Sequence, residues 1–82
     1  MKDSLTASVL YRILSLAPMG ESAAKFKTLA DSGDIEGFYR YYESCMRTMP
    51  HLDSDIERAG QISFRMLRPA MDAVYMAGRA NA

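Results

Sequence analysis

From Ile35 to Met49 the apolar residues return every three or four positions: Ile35, Phe38, Tyr39, Tyr42, Cys45, Met46 and Met49. That period places them on one face of an α-helix and does not fit a strand, whose side chains switch faces at every residue. Arg40, Tyr41, Glu43 and Arg47 fall on the opposite side, with Glu43 and Arg47 forming an i,i+4 pair in the favourable order. No other stretch alternates apolar with polar for more than a few positions. The expectation is an all-α fold.

Three further helical patterns flank this one. Leu5, Val9, Leu10, Ile13, Leu14 and Ala17 predict a first helix over residues 4–16, capped by Asp3 or Ser4 and stopped by Pro18. Phe26, Leu29 and Ala30 predict a short second helix over 22–31, ended by Gly33 in left-handed geometry. Asp34 then caps the third helix, Glu36 sits in its first turn, and Pro50 closes it. Ser54 and Glu57 have the spacing of a capping box, and from there the helical period runs to about Arg79.

A helix from 54 to 79 would hold about 25 residues and extend about 38 Å. The earlier helices, at about 10–15 residues each, are too short to cover it. Pro69 falls inside the pattern, where its ring clashes with the carbonyl of Arg65, yet the residues after it are tolerable helix formers. The predicted fold is therefore a small four-helix bundle with a long C-terminal helix kinked near Pro69, or a five-helix bundle if the chain breaks there. A kink leaves an apolar ribbon that includes Met71, Val74 and Tyr75 facing outward. Small residues along it, among them Ala59, Gly60, Ser63, Ala70, Ala77 and Gly78, suit a close crossing with another helix.

Eighty-two residues make one α-helical domain, 1–82, with a thin stability margin. Basic and acidic side chains cancel, but unevenly. Residues 31–57 carry seven acids against Arg40 and Arg47, whereas 58–82 carry Arg58, Arg65, Arg68 and Arg79 against Asp72. Such asymmetry permits complementarity between subunits. The single cysteine, Cys45, excludes an internal disulfide and suits a reducing compartment. The N-terminal apolar run is interrupted by Thr6, Ser8, Tyr11 and Arg12, unlike a signal peptide, and the expected location is cytoplasmic.

No catalytic arrangement, metal site or cofactor is expected. Cys45 and His51 stand alone where a zinc site needs about four ligands and a Cys-His nucleophile needs a third, orienting group. Asp53, Asp55 and Glu57 bunch where a helix dipole would favour them, without the ligand count of a calcium loop. Residues 22–42 can be drawn as helix, turn, helix, and a small DNA-binding regulator is the alternative reading. Its would-be recognition helix opens with Asp34, Ile35 and Glu36, placing acids against phosphate.

The expected function is a non-catalytic protein–protein interaction module acting through its C-terminal helix and pairing with itself as a homodimer. It would serve as an adaptor, chaperone-like factor or inhibitor, a class frequent among phage- and plasmid-encoded regulators. Met71, Val74 and Tyr75 are the expected anchors, with Arg65, Arg68 and Arg79 at a polar rim. Met76 is a further interface candidate, and Tyr41, outward beside Arg40, another. Nucleic acid and membrane partners are not expected.

Overall fold

Five helices, α1 (Ser4–Leu14), α2 (Ala23–Ser32), α3 (Ile35–Thr48), α4 (Pro50–Arg58) and α5 (Phe64–Ala80), follow one another in a computed structural model that describes residues 4–80. A single 3-10 turn, Gly20–Ser22, precedes α2. Asp3, one of the two expected caps of α1, lies outside the described residues. Among those residues there is no strand.

One apolar core joins the elements. Leu10 and Leu14 of α1, Phe26 of α2, Phe38 and Tyr42 of α3, and Met71 of α5 are all fully buried in it. The α3 stripe supplies its centre: Ile35, Phe38, Tyr39, Tyr42 and Cys45 are buried, and Met46 and Met49 pack at its edge. Aromatic rings interlock there, with Phe26 and Phe38 centroids 5.0 Å apart and tilted. Asp34 caps α3 as expected, its Oδ1 accepting from the backbone N–H of Gly37 at 2.9 Å.

The long C-terminal helix is not there. Its expected span divides into α4 and α5, and the break falls at Gly60, not at Pro69. Gly60 has φ +79°, and the N–H groups of Gly60 and Gln61 bond back to the carbonyls of Glu57 and Ile56, each at 3.0 Å. Those two bonds form the left-handed helix stop that only glycine adopts without strain. The same device ends α2, where Gly33 has φ +74° and Asp34 N–H bonds to the carbonyl of Leu29. Gly60 is exposed, and a Cβ built there would touch nothing within 4 Å, so it serves a chain reversal and no close helix crossing.

The capping box is also corrected. α4 begins four residues earlier than expected, with Pro50 in its first turn, where a missing N–H costs nothing. Ser54 lies inside the helix and donates to the Pro50 carbonyl at 3.1 Å. Glu57 instead accepts from Ser63 Oγ at 2.8 Å, and that hydroxyl accepts from Met66 N–H at 3.2 Å. Pro69 lies inside α5, which continues on both sides of it.

Because the chain reverses at 59–63, α5 returns along α1 and covers the core. The crossing is close. A Cβ built on Gly78 would lie 2.6 Å from Thr6 Cγ2 of α1. The small-residue argument therefore holds at Gly78, within the molecule itself.

Candidate functional site

α5 presents three strips around its circumference. The inner strip, Phe64, Leu67, Met71 and Gly78, is buried. Met71 has no exposed surface, which removes it from the expected partner anchors: the chain's own core shelters that part of the ribbon. Val74 and Tyr75 are partly buried against the same core.

The second strip is polar and faces α3 and α4. Arg68 Nη2 lies 3.3 Å from Glu43, and its Nε lies 2.9 Å from Asp72. Its guanidinium sits 5.5 Å from the centre of the Tyr39 ring. Arg79 Nε is 3.6 Å from Glu36, and Arg65 Nε is 3.5 Å from Glu57 and 3.7 Å from Asp53. Glu43 thus pairs with Arg68 and not with Arg47. The acidic middle of the sequence and its basic end meet inside one molecule.

Tyrosines bind the same seam. The rings of Tyr39 and Tyr75 stack with centroids 4.0 Å apart. Tyr75 donates to Glu36 Oε2 at 2.7 Å, and that bond to a carboxylate, with some burial, raises its pKa. Tyr39 donates to Asp72. Burial first, then that hydrogen bond, pushes the Tyr39 phenol up to about 12, with Arg68 acting in the opposite sense. Tyr42 donates to the Phe64 carbonyl at 2.5 Å, and burial raises its pKa further. Tyr41 is used internally as well: its ring packs 4.7 Å from Phe26, and its hydroxyl donates to Ser22.

The third strip of α5 is the outer one. Met66, Pro69, Ala70, Ala73, Met76, Ala77 and Ala80 are all exposed, Met66 at 56% and Met76 at 61%. At 100° per residue they cover about 120° of the helix surface. No polar side chain interrupts them. Met76 was legible as an interface residue, and Ala70, Ala73 and Ala77 as small residues suited to a close helix crossing; Met66 and Pro69 were not, because the helix was read with a single apolar face.

A second apolar feature lies elsewhere. Between the Pro18–Ser22 turn, the end of α3 and α4 opens a cleft of about 470 Å³. Met19, Met46, Met49, Leu52 and Ile56 line it, with Cys45 and Phe64 at its base, and Glu21, Asp53 and Gln61 among its few polar residues. Its volume falls in the range of ligand-binding clefts. No sequence signal marks it, since its walls come from segments up to 46 positions apart, Pro18 to Phe64.

Among the described residues no group of three or more His, Cys, Asp and Glu side chains could hold a metal ion. Among them, too, no helix is long and apolar enough to cross a membrane. Cys45 is free and buried, its Sγ 3.8 Å from Ser22 Oγ; His51 is exposed on α4. Comparison with protein-family models, with curated proteins and with solved structures found no match.

Proposed function

We propose that this chain is a small non-catalytic protein–protein interaction module whose C-terminal helix pairs with a second copy of itself. The observation that carries the reading is the outer strip of α5, seven exposed apolar residues in register with no charge among them. An uninterrupted apolar strip in water is an association surface. Its alanines allow two helix axes to approach closely, and Met66 and Met76 supply flexible side chains that fit an irregular counterpart.

A second copy suits this face for an electrostatic reason. Arg65, Arg68 and Arg79, which run beside the strip, are each paired with carboxylates of their own molecule. Two such faces can meet about a two-fold axis without facing rows of unpaired like charge. These arginines form the border of the surface and are not its energetic centre. The DNA-binding alternative draws no support from α3, whose first turn carries Glu36, already engaged with Tyr75 and Arg79.

Light scattering over a concentration series tests the proposal. The wild-type chain is expected to double its mass at micromolar concentration. Met76→Asp and Ala73→Glu, both at exposed positions, are expected to leave a monomer with unchanged circular dichroism. A wild-type monomer at every concentration overturns the reading.

A further inference from the structure

The methionine-lined cleft lies on different elements from the α5 strip and differs from it in shape. The strip is an outward helix face. The cleft is concave, about 470 Å³ in volume, and its floor residues Cys45 and Phe64 are exposed at only 4% and 5%. A concavity of that size removes most of a small ligand's surface from water, with few polar contacts needed.

Charge selects the form of that ligand. The acids of the α4 wall are engaged within the molecule: Asp53 by the N–H groups of Phe64 and Arg65, Asp55 by Arg58, and Glu57 by Ser63 and Arg65. Arg68, whose Nη1 lies 3.7 Å from Met46 Sδ, is paired with Glu43 and Asp72. Among the described charges at the edges, that leaves Glu21 in the Pro18–Ser22 turn and Arg47 next to Met46, both exposed and of opposite sign. They favour neither an anion nor a cation, and burying either against the apolar lining costs free energy.

The lining selects its chemistry further. Met19 and Met49 come from different walls, and thioether sulfurs contact aromatic rings more favourably than burial alone supplies. Phe64 adds a ring to the same surface. We propose that this cleft binds an uncharged aromatic small molecule. Its rings lie among Met19, Met49 and Phe64, and a polar group, where it has one, stays at the rim with the exposed Glu21 and Gln61. Such a site does not depend on self-association through α5.

Carbon-13 labelling of the methionine methyl groups tests this in the full chain, because the methionines report on separate surfaces. Naphthol is the probe; naphthoate, naphthylmethylammonium and decahydronaphthol are its anionic, cationic and saturated counterparts. Naphthol is expected to saturate one site, and its ring current to shift the Met19 and Met49 methyl resonances while leaving Met66 and Met76 in place. The two charged counterparts are expected to bind roughly tenfold more weakly, and the saturated one about threefold more weakly. Leu52→Asp, a change at an exposed position on the cleft wall, is expected to weaken naphthol roughly tenfold, with circular dichroism verifying the fold, whereas Met76→Asp leaves it unchanged. No saturation up to the solubility of naphthol overturns the proposal, as do shifts at Met66 or Met76 as large as those at Met19 and Met49. Equal binding of either charged counterpart or of decahydronaphthol also overturns it. So does a dimer that Leu52→Asp dissociates, which would make the cleft a contact with the second copy.

Discussion

Asp53 Oδ1 lies 2.8 Å from the backbone nitrogen of Phe64, and its second oxygen lies 2.9 Å from that of Arg65. A carboxylate on α4 thus serves two of the free N–H groups at the start of α5, where the helix dipole also favours negative charge. Asp53 is buried, so water cannot easily replace it. Asp53→Ala is expected to cost about 3 kcal/mol, and Asp53→Asn, which retains one acceptor, about 2 kcal/mol. Urea denaturation checks both, with an unchanged m-value if the fold persists.

The sequence revealed the helices and concealed the corner that Asp53 holds. Gly33 was legible as a stop because it follows a serine and precedes the capping Asp34. Gly60 uses the same backbone geometry but sits in Ala59-Gly60-Gln61-Ile62, without a polar turn residue before it. Ile56, Ser63 and Leu67 keep helical spacing across the gap, so the period ran on through a break that only a dihedral angle discloses. Pro69 attracted attention instead, yet it lies on an exposed face of α5, where water can serve the Arg65 carbonyl that loses its donor.

This error moved the candidate surface. With the break at Gly60, α5 turns back onto α1, Met71 goes inside, and the strip through Met66, Ala73 and Met76 faces out. Charge totals for each segment were correct, but topology alone decides that Arg68 meets Glu43 of its own chain. The cleft was beyond reach of a linear reading, because no local period records that Met19 and Met49 line the same cavity.

Gly78 and Thr6 set the distance between α5 and α1. Alanine at 78 gains up to about 1 kcal/mol of helix propensity, but its methyl would meet Thr6 Cγ2 at 2.6 Å. A β-branched side chain on a helix has little freedom to swing away. Gly78→Ala is therefore expected to be destabilising by about 1–2 kcal/mol. Thr6→Ser, which deletes the methyl that clashes, is expected to recover part of this loss, and a double-mutant cycle measures the coupling.

The tyrosine seam makes stability fall in alkali. Tyr39 titrates at about 12 in the folded chain, against an ordinary value of 10.0. Between those values the folded state holds a proton that the unfolded state has lost, so unfolding is favoured as pH rises. Tyr42 and Tyr75, both raised, act in the same direction. The contribution is fully present below pH 10 and disappears as pH climbs through 12. Tyr39→Phe is expected to be less stable than wild type at neutral pH, having lost the bond to Asp72, but to show a shallower decline above pH 10. Urea midpoints on either side of pH 10 distinguish this from a uniform loss of stability.

Met71 and Met76 give the sharpest separation of core from surface, since they occupy one helix five residues apart with exposures of 0% and 61%. Met71→Ala opens a cavity in the core that also holds Leu10, Leu14 and Phe38 and is expected to cost about 3 kcal/mol. If the remaining fold holds at low temperature, its self-association should persist, because the outer strip is intact. Met76→Asp is expected to do the reverse: a change in stability within about 0.5 kcal/mol at low concentration, where wild type is also monomeric, and loss of the dimer at high concentration. Thermal melts at two protein concentrations read both quantities. A concentration-dependent Tm in wild type that survives Met76→Asp would place the contact elsewhere than on α5.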